Sequence, residues 1–586
     1  MLELMEDLGR RAALAVTEKF GAQPGVPPIL TVARATKPEF GDLQISAALQ
    51  LAKALGQKPR EIGQAIADAL ASHPAIAKVE LAGPGFVNLH LSDLWLAAHV
   101  ADALALRSIG QGQTVVIDYS SPNVAKPMHI AHIRSTIIGD AIKRVLRAVG
   151  YQVIADNHLG DWGTQFGKLI VAFKRWLDAD AFAKEPVEEL LRLYIRYTEE
   201  EEREAGGRVE EEGEAAEVKE APPILKAARE ELVKLQQGDP ENVALWKKFI
   251  AVSMAEFEAI YRRLGVSFDV ILGESFYNDR LADTVARLER EKIAEPSQGA
   301  MVVFFTEERD GEALPPFLVR KADGGFNYGA TDVAGVLYRI ERWHPARILI
   351  VTDERQQLHF RQLFATARRL GVTCSLEHVW FGLMRLPEGT ISTRKGKGLI
   401  YLEDLLDEAE RRALAVANES SPGLSDEERR EVARVVGIGA VKYNDLSRDR
   451  QSLISFTWDK ALALTGNTAP YLQYAYARIR SILRKAEAEG ARPGPLGALA
   501  PIERALVLRL FGFGEAVEQV ARSARPHTLA DYLYALAGAF STFYAEHPVL
   551  KAEPEVRAAR LTLSALTADT LKKGLDLLGI EVLERM

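Results

Sequence analysis

The run Val115-Val116-Ile117 stops at Asp118, a polar turn follows, and a helical pattern begins soon after; no other stretch constrains the fold as strongly. Three consecutive β-branched apolar residues predict a short buried strand. Pro127 is expected at the first helical position, where a missing N–H costs nothing. Ile130, Ile133, Ile137, Ala141, Val145 and Leu146 then recur at helix spacing,. His129 and His132 lie three apart, hence on one face at the helix start. A strand, a turn and a helix N-terminus together form an anion site, because free backbone N–H groups and the helix dipole point at the bound group. Two imidazoles and Lys126 add donors, so the stretch suits the phosphates of ATP,. Zinc fits the pair poorly: no glutamate follows the first histidine as in His-Glu-x-x-His, and the chain has one cysteine,.

A second buried strand is expected at Arg347-Ile348-Leu349-Ile350-Val351, followed by the polar run Thr352 to His359. Two such halves around an insertion predict a doubly wound parallel sheet with ligands at the strand C-terminal ends. A length of 586 residues is too great for one core and implies about three or four domains,. The expected boundaries are 1–108, 109–455 and 456–586. The middle segment carries an insertion at about 173–300 and a further region at about 385–455.

In the first segment, Ile45, Leu49, Leu51 and Leu55 suggest one helix, and Ile62, Ile66 and Leu70 after Pro59 another. Val79-Glu80-Leu81 and Phe86 to Leu91 flank Gly83-Pro84-Gly85 as strand, turn, strand,. Phe86 and Asn88 share a side of that strand,. A ring and an amide so placed can stack on and bond an unpaired base; a core Phe beside a surface Asn is the equal alternative. In the last segment Leu472, Ala475, Ile479, Ile482 and Leu483 make a buried helical stripe on a helix carrying Arg478 and Arg480,. The acids Glu199–Glu202 and Glu210–Glu212 read as a solvated face without chemistry,.

Cys374 is the sole cysteine, which excludes an intramolecular disulfide and fits a reducing compartment,. The first residues are acidic, unlike a secretory signal,. No apolar run reaches the ~20 residues a membrane span needs, so a cytoplasmic protein without membrane contact is expected,. The net charge of −8 does not advertise a nucleic-acid partner, but phosphate contacts require only local cations,.

His129-Ile130-Ala131-His132 resembles the His-Ile-Gly-His signature of class I aminoacyl-tRNA synthetases. Its surroundings, Asp118-Tyr-Ser-Ser-Pro-Asn-x-x-Lys126 before it and Arg134-Ser-Thr-Ile-Ile-Gly-Asp140 after it, resemble the arginyl enzymes. So does Asn157-His-Leu-Gly-Asp-Trp-Gly-Thr-Gln-Phe-Gly167. The resemblance runs over nearly the whole chain. It implies an α/β fold: a Rossmann-like catalytic domain with a helical insertion, an α+β N-terminal domain that contacts tRNA, and an all-α anticodon-binding bundle at the C-terminus. Phe86, Asn88 and Arg478 become the candidate tRNA contacts.

The arginine side chain is planar, permanently charged and rich in donors, so its pocket should offer fixed carboxylates. Glu274 follows an apolar run, Tyr328 and Asp332 stand four apart on one helical face, and Gln356 follows the second strand,. The resemblance assigns Glu274, Tyr328 and Asp332 to the substrate side chain. It assigns Asn123 and Gln356 to the α-amino and carboxylate end, with Ser121 and Asp118 nearby. His359 is implied near the nucleotide, beside His129, Ala131 and His132.

The family's Lys-Met-Ser-Lys loop corresponds to Thr390-Ile-Ser392-Thr-Arg394-Lys395-Gly-Lys-Gly398, with neither signature lysine in place. Ser392, Arg394 and Lys395 are the expected phosphate clamp, and Lys126 is expected to replace the missing lysine. Ala131 is the second departure, standing where the signature has glycine. The implied reaction makes arginyl-adenylate from arginine and ATP with Mg2+ and no zinc, then charges tRNA, with tRNA needed for the first step. A monomer is expected.

Overall fold

The computed structural model describes residues 1–205, 222–385 and 400–586. The chain forms two compact units, Ser108–Ala463 with Leu577–Ile580, and Met1–Arg107 with Leu464–Asp576 and Glu581–Met586.

The first of these is built on a five-stranded parallel sheet in the order Ser375–His378, Arg347–Ile350, Thr114–Asp118, Gln152–Asn157, Val270–Ile271. The two strands expected from sequence are adjacent at its centre, with Ile350 opposite Asp118 and Asp118 opposite Asp156. The edge strand Val270–Ile271 falls inside the segment expected as insertion. Helices Pro186–Glu204, Pro223–Gln236 and Pro240–Leu264 are the longest described elements of that segment. A three-stranded antiparallel sheet, Phe317–Arg320, Ala300–Val303, Glu295–Ser297, precedes the helix Tyr328–Trp343.

The helix after the first strand runs Ile130–Ala148, so Pro127 is not its first residue. His129 is the N-cap instead. Propensity loses here to pairing: Ile130 N–H donates to Ile400 C=O, and Leu402 N–H donates to Met128 C=O. Those bonds flank His129, which is held extended (φ −118°, ψ 172°) and so delays the helix start to Ile130. Ser120, Ser121 and Ala125 all have positive φ (74°, 49° and 65°), a concentration of backbone strain in the turn that faces the strand ends. Gly139 lets the helix lie against Tyr119, since a Cβ there would meet the ring at 2.3 Å.

Arg134 anchors the same helix from below. Fully buried, it pairs both ways with Asp445 (2.8 and 3.0 Å) and donates to the carbonyls of Gly382, Arg450 and Ser452. The helix Asp426–Leu446, which carries Asp445, is thereby fixed to the signature helix.

The second unit joins the chain's two ends. A four-stranded antiparallel sheet, Val32–Arg34, Leu43–Ile45, Phe86–Leu91, Ile76–Ala82, packs with helices Leu2–Phe20, Ala47–Leu55 and Pro59–Leu70. Ile45 therefore ends a strand and does not open the expected helix. The helices Ala469–Ala488, Pro501–Leu510, Phe513–Ser523 and His527–Glu546 follow. Arg34–Glu515, Arg504–Asp42 and Arg107–Glu518 ion pairs, all within 2.7 Å, tie the sheet region to these helices. The segments read from sequence as separate terminal domains thus share one body. No described helix is long and apolar enough to cross a membrane.

Candidate active site

A cleft of about 690 Å³ opens at the C-terminal ends of the central strands. Eleven of the sequence-derived candidates line it: Asp118, Ser121, Asn123, His129, Ala131, His132, Glu274, Tyr328, Asp332, Gln356 and His359. The strand ends bring Asp118, and the turn brings Ser121 and Asn123. Asn123 is held against Gly160, where a Cβ would stand 2.1 Å from its Oδ1. Asn157 fixes the turn by accepting from Ser121 N–H at 3.0 Å.

The two histidines cap their own helix. His129 Nδ1 accepts from Ala131 N–H (3.3 Å), and His132 Nδ1 accepts from His129 N–H (3.1 Å). A ring nitrogen that accepts carries no proton, so in the neutral form each proton sits on Nε2. Burial pulls His132 down to about 3, with His129 adding to it; burial, Lys126 and Arg355 lower His129. Both rings are therefore neutral Nε2–H donors near neutral pH, 4.0 Å apart between centroids.

Glu274 begins a 3-10 turn after the edge strand. Burial pushes its carboxyl up to about 7; Asp332 and Asp161 push the same way, and His158 opposes them. Asp332 shares a helix face with Tyr328, as the spacing predicts, and its Oδ2 lies 2.6 Å from His359 Nε2. His359 also packs on Tyr328. The sequence placed His359 by the nucleotide; in the structure it touches the acid and the ring assigned to arginine.

Three expectations meet different surroundings. Lys126 does not line the cleft: its Nζ stands 4.5 Å over the Tyr194 ring of the inserted helix Pro186–Glu204. Asn88 is 2% exposed and its Oδ1 accepts from Gln44 Nε2 at 2.7 Å, so it is neither a surface residue nor an open amide. Phe86 beside it is half-buried, and Arg478 is exposed over the Tyr544 ring. Ser392, Arg394, Lys395 and the acids 210–212 lie outside the described residues.

Sequence reasoning missed Arg339, His158 and Arg355, all of which line the cleft. Arg339 had a signal, since it sits two turns beyond Asp332 on the same helical face,. Its Nη2 reaches both Asp118 (2.6 Å) and Asp156 (2.8 Å). Ser121 Oγ donates to the other oxygen of Asp118 at 2.8 Å. Arg339 and His158 hold Asp118 below the usual range against its burial, while burial pushes Asp156 up. Among the described residues no group of three or more His, Cys, Asp or Glu converges as a metal site.

Residues 97–458 match the family described as tRNA synthetases class I (R), catalytic domain. Residues 472–586 match the DALR anticodon binding domain, and 11–91 the arginyl tRNA synthetase N terminal domain. The chain is 45% identical to an arginine–tRNA ligase of Alteromonas mediterranea, covering 95% of this chain and 96% of that one. It is 43% identical to the arginine–tRNA ligase of Fusobacterium nucleatum, covering 94% of each. Its structure is similar to the Thermus thermophilus arginyl-tRNA synthetase, with a TM-score of 0.79, 27% identity and all of both chains covered. With a parallel sheet, a histidine-capped helix at its strand ends and relatives matched almost end to end, the chain belongs to the class I arginyl-tRNA synthetase family.

Proposed function

We propose that this cleft activates L-arginine with ATP and passes the arginyl group to the 3′ end of its cognate tRNA. The observation that carries the reading is that one cleft holds both an acidic pair with an aromatic neighbour, Glu274 and Asp332 with Tyr328, and a helix start bearing two neutral imidazole donors. A guanidinium pairs with the first and a phosphate with the second. Asn123, Ser121 and Gln356 would hold the α-amino and carboxylate end between them.

In the first step a carboxylate oxygen of arginine attacks the α-phosphorus of ATP, and the bond from that phosphorus to pyrophosphate breaks. In the second, a ribose hydroxyl of tRNA attacks the arginyl carbonyl, loses its proton and releases AMP. No enzyme nucleophile is needed; positioning and charge stabilisation supply the catalysis. The Nε2–H groups of His129 and His132 would donate to phosphate oxygens, and Lys126 would add a positive charge after leaving Tyr194. Ser392, Arg394 and Lys395 would clamp the outer phosphates. Mg2+ is proposed to arrive on the triphosphate, since it is commonly held by phosphates and water with few protein ligands.

We assign tRNA contacts to residues 1–108, through Phe86, and to 456–586, through Arg478, around a catalytic segment 109–455; the buried Asn88 is left out of the assignment. The reading places the protein in the cytoplasm as a monomer, with tRNA required for arginine activation. Charging of bulk bacterial tRNA with radiolabelled arginine and ATP tests the function. Charging with arginine alone among the twenty amino acids is expected; none, or equal charging with lysine, refutes it. Arginine-dependent pyrophosphate exchange that is as fast without tRNA refutes the tRNA requirement.

A further inference from the structure

Asp118 and Asp156 are partners in register at the ends of adjacent parallel strands. Their side chains therefore leave the sheet on one face, with strands about 4.8 Å apart. Two buried carboxylates at that spacing repel, and Arg339, itself 4% exposed, answers both through one nitrogen,. The cluster is poorly satisfied for a purely structural one: Arg339 Nε, Asp156 Oδ1 and the Tyr277 hydroxyl are all buried without a hydrogen-bond partner,. A buried ion cluster of this kind is weak evidence for stability. Its position suggests another use, because Arg339 and Asp118 both line the cleft that holds Glu274 and Asp332.

Without Arg339, an incoming guanidinium would meet two acidic pairs, Glu274 with Asp332 and Asp118 with the fully buried Asp156, of which Asp118 alone lines the cleft. Each could accept a planar fork of donors. We propose that Arg339 is a specificity-determining positioning residue: its guanidinium occupies the strand-end pair, so the guanidinium of arginine can pair only with Glu274 and Asp332. The substrate is then held in one orientation, its carboxylate toward the His129–His132 helix start. Blocking the wrong site is as effective a route to selectivity as improving the right one. The inference rests on the reading that this cleft binds arginine.

The test uses the full-length enzyme with its tRNA, and free guanidinium ion as the probe. In the wild type guanidinium should only inhibit, in competition with arginine. In Arg339→Ala, arginine seated on the vacated strand-end pair is unproductive, so kcat should fall about thirtyfold or more, the lower range for truncating one member of a buried charge pair, and the arginine KM should fall with it. Low guanidinium concentrations should then restore kcat before higher ones inhibit, because the ion refills the strand-end pair. A folded Arg339→Ala enzyme with unchanged kcat, or with no restoring phase, overturns the proposal.

Arg339→Met/Asp156→Asn covers the case in which the single variant does not fold, since it removes one acid together with the guanidinium. Its kcat should stay within a few-fold of wild type, because the competing pair is gone. A kcat lowered as far as thirtyfold there would show that Arg339 does not act by blocking, and would overturn the proposal. Calorimetry of wild type with arginine separates the two readings. Absence of binding defeats the arginine site itself, whereas binding with a flat Arg339 response defeats only this inference.

Discussion

Lowering the pH from about 8 to about 6 is expected to weaken arginine binding about tenfold, through one carboxyl. Burial, with Asp332 and Asp161 behind it, places Glu274 at about 7 in the empty cleft. Its ionised fraction is then about nine-tenths at pH 8 and about one-tenth at pH 6. The guanidinium of arginine stays charged across that window and requires the ionised carboxyl. Binding must therefore expel a proton from whatever fraction is protonated, about half a proton per arginine near pH 7.

Isothermal titration calorimetry at about pH 7, in two buffers of different protonation enthalpy, reads that release directly. His132 cannot supply it, because a value of about 3 keeps it neutral throughout, and burial lowers His129 in the same direction. Glu274→Gln separates Glu274 from His158 and His359, which share the cleft. At saturating arginine the release should vanish in this variant, along with most of the affinity. A dissociation constant that is flat from about pH 6 to about pH 8, or a release that persists in Glu274→Gln, refutes the reasoning. The same shift has a stability sign. A folded value near 7 against an ordinary 4.5 means that stability falls as pH rises between the two. At pH 8 the cost is roughly 1–3 kcal/mol, so Glu274→Gln should melt higher than wild type there, and no higher at about pH 4.

Gly160→Ala places a Cβ 2.1 Å from Asn123 Oδ1; kcat/KM for arginine should fall about tenfold to a hundredfold with unchanged circular dichroism, and an unaffected rate would refute the packing argument. Arg134→Met strands the buried Asp445 and should cost about 3–5 kcal/mol in urea unfolding,; unchanged stability would show that the pair contributes nothing. Tyr194→Leu removes the ring under Lys126 and should lower the ATP KM about two- to tenfold, the range of a cation–π contact,. Tyr194→Phe should leave it unchanged, and a higher KM in the leucine variant would mean that the ring does not hold Lys126 back.

What could be read in advance was local. The strand ending at Asp118, the helix face of His129 and His132, and the Tyr328–Asp332 spacing each depend on the period of a single element. What could not be read depends on register between elements. Nothing in the run Gln152–Asn157 reveals that Asp156 will lie opposite Asp118, so the need for Arg339 was invisible although its helix face was not. Asn88 was misjudged for the same reason, because its partner Gln44 belongs to the neighbouring strand. Pro127 misled differently: it has a sound propensity for a helix start, overridden by pairing with Ile400 and Leu402.

The histidine pair shows why local and functional demands coincide at the head of this helix. A helix start needs acceptors for its free N–H groups, a role usually given to Ser, Asp or Glu. Here two imidazoles do it through Nδ1. Serine and glutamate would cap equally well, but a glutamate would place a negative charge where phosphate is to bind. An imidazole that caps through one nitrogen is obliged to carry its proton on the other, and burial keeps it from taking up a second,. Capping therefore fixes the tautomer, and the tautomer makes the donor. The cleft gains two directed N–H groups without fixed charge, leaving positive charge to long side chains such as Lys126, seated over Tyr194, and Arg355, paired with Asp353, which must exchange those partners to reach a phosphate.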